Sequence, residues 1–309
     1  MESSALSIAI VTWMAMSVRM AVPLLYASLG GLVAQKSGIL NFALEGMMLL
    51  GAFFAYYGTL MGGSPWYGLL LAMLVGALAG LLLAFTSVTL GVNQAVVGIG
   101  IAIFSVGLTS YLYRLIDTGG GSAVIKNFAA LKLPVLSDLP VVGPILFDHS
   151  FLVYAGVVLV AFIAWFFNRT TLGLNLRAVG ERPEVADTAG INVYSYRYVA
   201  TIVSGMLAAV GGAFLTLTQV SRFLEELTAG RGWIALAAII LGKYNPWGVL
   251  GACVLFGAAD ALQMQLQVLN VKIPFQILLM IPYITAMLAL GGVVGKVRGP
   301  AAQGAPYMK

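Results

Sequence analysis

The chain is a succession of apolar runs, most of them close to the length a bilayer demands. They fall near 5–34, 44–62, 66–90, 93–114, 150–168, 197–220, 232–243, 246–268 and 273–293. A spanning helix needs about 20 mostly apolar residues, because lipid offers its backbone no hydrogen-bond partners. The run 232–243 is too short unless a neighbour continues it, and a half-helix or re-entrant piece fits it better. The first run exceeds one span and holds Arg19 and Pro23. Two forms stay open for it: one tilted, kinked helix or two shorter pieces. These runs predict an all-α polytopic membrane protein, a bundle of about eight to ten transmembrane segments with broken or re-entrant helices. No boundary divides it, so residues 1–309 are expected to form a single domain.

Composition agrees. Of 309 residues, 61% are hydrophobic and 9% charged, too few polar groups to cover a soluble core. The net charge of +5 lies mostly in connecting segments and never reaches the density of a nucleic-acid footprint. The start, Met1-Glu2-Ser3-Ser4, lacks the positive region and cleavage pattern of a signal peptide, so the first run is expected to stay in the mature protein. Cys253 is the one cysteine and His149 the one histidine, which supports neither a disulfide nor a metal cluster. No catalytic set is visible. Gly242-Lys243 precedes Tyr244 and Gly295-Lys296 precedes Val297, so neither pair is a phosphate-binding loop, which needs Ser or Thr there.

Polar residues at bilayer depth are costly and usually line a pathway or hold a helix break. The stretch Gln35 to Met48 sets Lys36, Asn41 and Glu45 between two apolar runs. Asn41 and Glu45 share a face if the helix begins early enough to include both. Glu45 either clamps the break, with Lys36 or Asn41 as partner, or faces a substrate path. Asn93 and Gln94 open the next run, where Asn93 suits an N-cap and Gln94 a path lining. Asp260, Gln263 and Gln267 form one polar stripe at helical spacing, as a lining or as an interhelical seam. Gly58 with Gly62, and Gly76 with Gly80, have the spacing that lets helix backbones approach closely in lipid.

Two connections are long. Residues 115–149 carry Gly119-Gly120-Gly121, Pro134, Pro140 and Pro144, and read as an irregular loop outside the cytoplasm. Residues 169–197 carry Arg169, Arg177, Arg182 and Arg197 and read as cytoplasmic. Helical character is expected there around Leu174 to Ala178 and again from Pro183, with Gly190 as a stop. Lys296, Arg298 and Lys309 put the C-terminus on the same side.

Several blocks together resemble a known family. The run Lys36 to Leu49 is similar to the signature of permeases of bacterial nucleoside and simple-sugar ABC importers, a family that includes branched-chain amino acid permeases more distantly. Thr89 to Gly98, Thr171 to Pro183, Ala186 to Val193, Thr228 to Ala237, Asn245 to Gly248 and Pro300 to Tyr307 resemble further blocks of it, in the same order. The likeness covers most of residues 20–307, and departs at Gly91-Val92, where a more polar or basic residue is expected. It implies an ATP-driven importer with nucleosides as the first cargo and simple sugars or branched-chain amino acids as alternatives, in the bacterial inner membrane. It implies a second related permease, two ATP-binding subunits that hold ATP and magnesium, and an extracytoplasmic substrate-binding protein, with no cofactor in this chain. It implies a substrate path near Asn41, Glu45, Asn93 and Gln94. It also implies an ATPase-coupling region carrying Leu174, Arg177, Ala178, Gly180, Glu181, Ala186 and Gly190. A rival from another class is an ion-coupled secondary transporter, which would need internal ionisable relays.

Overall fold

A computed structural model describes residues 2–116, 123–132, 143–268, 274–292 and 298–307. Gly119-Gly120-Gly121, Pro134, Pro140, Lys296 and Lys309 lie outside the described residues. Among the described residues, seven helices are long and apolar enough to cross a membrane: Ala9–Lys36 within α1 (Glu2–Lys36), α2 (Leu44–Gly62), Pro65–Thr89, α4 (Gln94–Ile116), α5 (Phe151–Arg169), Val193–Val220 and α10 (Pro246–Val268). The third comprises α3 (Pro65–Ala84) and a π-helical turn. The sixth comprises α8 (Val193–Phe214) and another. Shorter helices complete the chain: α6 (Thr171–Glu181), α7 (Pro183–Thr188), α9 (Arg231–Leu241), α11 (Phe275–Leu279) and α12 (Ile281–Gly292).

The first run is one continuous helix with Pro23 inside it. Proline has no N–H, so the carbonyl of Arg19 loses its helical donor. Gln219 Nε2 donates to that carbonyl at 3.1 Å, replacing the lost bond from another element. Elsewhere the punctuation follows side-chain chemistry. Asn93 accepts from Ala95 N–H, Thr170 from Gly173 N–H and Asn192 from Ser195 N–H, capping α4, α6 and α8. Pro65 and Pro183 begin α3 and α7, and Gly63 and Gly190 follow α2 and α7 in the left-handed region.

Helix α8 is the centre of the bundle and packs on α1, α2 and α3, while α1 also packs on α10. Small residues permit this. A Cβ on Gly76 would overlap the Gly205 carbonyl, and one on Gly80 would lie 2.6 Å from the Thr201 carbonyl. Gly58 meets the backbone of Gly68 and Gly62 the ring of Tyr67, so both expected pairs sit at close crossings.

One end of the bundle gathers Lys36, α6, α7, the start of α8 and residues 298–307. A Cβ on Gly180 would overlap the Lys36 carbonyl, Ala302 N–H donates to Gly180 O, and Gly304 N–H donates to Gly38 O. The C-terminal segment therefore lies at the end that carries α6 and α7, and α1 starts at the other. There, strand β1 (Ala130–Lys132) pairs antiparallel with β2 (Asp148–Ser150), within the loop expected at 115–149. The connection expected over 169–197 ends earlier. Asn192 caps α8, and Arg197 lies inside that helix, 1% exposed.

Candidate functional site

Residues 37–43 break the path between α1 and α2. Asn41 precedes α2, so it does not share a helical face with Glu45; the expected register fails because the helix starts at Leu44. Asn41 is fully buried. Its Oδ1 accepts from Ala43 N–H and its Nδ2 donates to Ser204 Oγ at 2.9 Å, fixing the break to α8. Gln94, 4% exposed, accepts from Leu40 N–H at 2.7 Å and pins the break to α4. Asn93 is exposed and caps α4. These side chains thus hold bent backbone inside the bundle, supplying partners that an apolar surrounding would not.

Glu45 reaches neither Lys36 nor Asn41. Lys36 Nζ lies 5.9 Å above the ring of Tyr244 instead. The Glu45 carboxylate accepts from Thr228 Oγ1 at 2.6 Å, from Gly230 N–H at 2.9 Å and from Gly232 N–H at 2.6 Å. It therefore caps the N-terminus of α9, whose free N–H groups and positive dipole end favour an anion. Gly232 has to be glycine, since a Cβ there would overlap the backbone of Glu45. Asp260 also has a specific partner, Arg231 Nη2 at 2.9 Å, and both side chains are over four-fifths buried. Gln263 is buried on the same helix, and Gln267 Nε2 has no partner among the described residues. The stripe is thus not one uniform seam: its polar strength is concentrated at Asp260.

The structure therefore joins Glu45 to α9 and Asp260 to the residue before Gly232. In the sequence, Thr228 and Arg231 stand only within the block Thr228 to Ala237, with nothing local that marks them as partners of these carboxylates. A usable signal existed: one arginine opening a short helix, with one aspartate in a neighbouring span, is a charge pair waiting for a partner.

The coupling candidates lie on α6 and α7. Gly173, Leu176, Val179 and Gly180 are buried, whereas Leu172, Leu174 and Val185 are each over half exposed. Arg177 and Ala178 are half-buried, and Ala186 packs with Val179 and Val193. Glu181 accepts from Ala301 N–H at 3.3 Å, and Gly190 takes a φ of +84° after α7. At the opposite end a cavity of about 270 Å³ is lined by Arg19, His149, Ser150, Thr218 and others. Burial pushes the His149 imidazole down from the usual histidine range, only partly offset by its contact with the Ile145 carbonyl.

A protein-family profile described as "Branched-chain amino acid transport system / permease component" matches residues 13–293. The chain belongs to that permease family. It is 38% identical to a guanosine ABC transporter permease protein, NupQ of Bacillus subtilis, over 94% of each chain. It is 36% identical to a nucleoside ABC transporter permease protein, NupC of Lactococcus lactis, over 93% of each. A putative glucose ABC transporter permease protein of Haloferax volcanii, TsgC13, is 34% identical over 83% of this chain and 78% of its own. No solved structure matches. With seven candidate spans, this family member is a multi-pass membrane protein.

Proposed function

We propose that this chain is the permease subunit of an ATP-driven importer of nucleosides, in a bacterial inner membrane. The observation that carries the reading is near end-to-end similarity to permeases whose names specify guanosine and nucleosides. The partners follow from that reading: a second related permease, two ATP-binding subunits holding ATP and magnesium, and an extracytoplasmic substrate-binding protein. Simple sugars are the second cargo, favoured by the similarity to the putative glucose permease.

Helices α6 and α7 then form the cytoplasmic docking surface, and α1 begins outside. Their exposed Leu172, Leu174 and Val185 suit a protein partner better than solvent. Pressure on α6 has a short route inward. Gly180 abuts Lys36, the C-terminal segment ties Gly180 to Gly38, and the break at 37–43 leads into α2 and Glu45. Rigid-body displacement of packed helices is an ordinary way to couple such sites. In this reading the substrate passes beside that break, against a second permease. Asn41, Gln94 and Glu45 hold the frame of the path and Asn93 marks its rim. The two carboxylates within the described spans, Glu45 and Asp260, are both paired, which argues against an ion-coupled relay.

Proteoliposomes holding the assembled complex test this. Labelled nucleoside import should need ATP on the α6–α7 side and should stop when the ATP-binding subunit is inactivated. Import driven by an ion gradient without ATP would overturn the proposal.

A further inference from the structure

Helix α9 begins well inside the length of the bundle. Ser28 Oγ donates to Ala235 O, and Ser28 lies on α1 two turns before Lys36, roughly 12 Å from that end at 1.5 Å per residue. The residues just before α9 are not α-helical, and Ala229, two positions before it, is exposed. Irregular backbone exposed near bilayer depth is tolerated against protein or a water-filled cavity, not against lipid. The side of the molecule that displays the start of α9 is therefore not a lipid face.

Two large aromatic side chains are displayed there. Trp233, in the first turn of α9, is 41% exposed, and its indole N–H makes no hydrogen bond among the described residues. Phe42, in the break, lies behind it, with ring centroids 6.4 Å apart and planes at 45°. That tilt leaves no slot between the rings but braces the indole and leaves its outer face open. Tyr283, 46% exposed, donates from its hydroxyl to Ala229 O, and a Cβ on Gly230 would lie 2.8 Å from the Tyr283 hydroxyl oxygen. Arg231, two positions before Trp233 and so on the opposite side of α9, is held by Asp260 of α10 in the ion pair described above. The N-terminus of α9 itself is occupied by Glu45, so it offers no anion site. What remains is the exposed part of the Trp233 indole, backed by Phe42. Indole facing the middle of a lipid layer would also be out of place, since Trp favours the membrane interfaces.

We propose that Trp233, braced by Phe42, is a specificity-determining residue of the transport path, on which the base of a nucleoside stacks. The inference rests on the proposed function and adds which part of the cargo is read, and where. Base–aromatic stacking is tolerant of sequence but scales with ring area, so purines gain more than pyrimidines.

The test uses the assembled complex in proteoliposomes, with labelled guanosine and uridine. Trp233→Leu keeps apolar bulk and removes the stacking face. Guanosine uptake at subsaturating concentration should fall about fivefold or more, uridine uptake should fall less, and Trp233→Tyr should restore guanosine transport. A guanosine-to-uridine ratio unchanged in an assembled Trp233→Leu complex overturns the inference and leaves the proposed function standing. Transport of neither nucleoside by the wild-type complex overturns both. If the leucine variant does not assemble, fluorescence decides. Guanosine should quench a tryptophan signal in the wild-type complex that is missing from Trp233→Tyr, and no such quenching overturns the inference.

Discussion

Glu45 satisfies three donors of another segment with one carboxylate, at a depth where water is scarce. Hydrogen bonds to a charged acceptor contribute about 1.5–3 kcal/mol each, and donors left without a partner cost a similar amount. In Glu45→Gln, an amide NH₂ replaces one acceptor oxygen and faces a donor. The purified chain should lose about 2 kcal/mol, read as a lower melting temperature, and Glu45→Ala should lose more. Normal melting with abolished transport would instead put the carboxylate on the substrate. This bond set was not legible in the sequence. By spacing alone Asn41 and Glu45 make a helical pair, and Lys36 is the nearest cation in sequence. The true partners lie 183 to 187 positions away, at Thr228, Gly230 and Gly232. Local spacing carries no trace of such a pairing. The chemical need did show: a carboxylate at that depth had to have a partner.

Among the elements, α8 depends on small residues more than on apolar ones. Between two apolar helices in lipid there is no hydrophobic gain from association, so close backbone contact supplies the attraction. Gly205 abuts Gly76 and Gly80, with no room for a side chain. Gly205→Val should separate α3 from α8 and destabilise the chain by about 2–3 kcal/mol, the scale of overpacking in a close-packed interior. Lower melting temperature and lower yield of folded protein in detergent would show it; an unchanged melt would contradict the packing described here. Spans, the short α9, the α6–α7 pair and the Gly76–Gly80 face were all readable from the sequence, because length, capping residues and small-residue spacing are local properties. The start of α8 is not legible in the same way, because Arg197 reads as part of the polar connection although the helix begins at Val193. It is an arginine inside a span, and its Nη1 donates to the Ala305 carbonyl of the C-terminal segment. Nothing in its neighbourhood in the sequence announces that acceptor.

On the scale of the whole molecule, the α6–α7 surface and the start of α9 are joined by short contacts. Gly180 meets Lys36, Gly38 meets Gly304, and the break at 37–43 runs into the helix that carries Glu45. A subunit built this way can pass displacement at one end to the middle of the bilayer. The sequence indicated its class through the order of its blocks, while the cargo comes from the relatives and from the chemistry around Trp233. The most direct measurement of the central claim is uptake of labelled nucleosides, simple sugars and branched-chain amino acids by cells with and without this chain. The account predicts that nucleoside uptake alone is lost, and is lost equally when the partner ATPase is disabled. Unchanged nucleoside uptake, with loss of sugar or amino acid uptake instead, would contradict it.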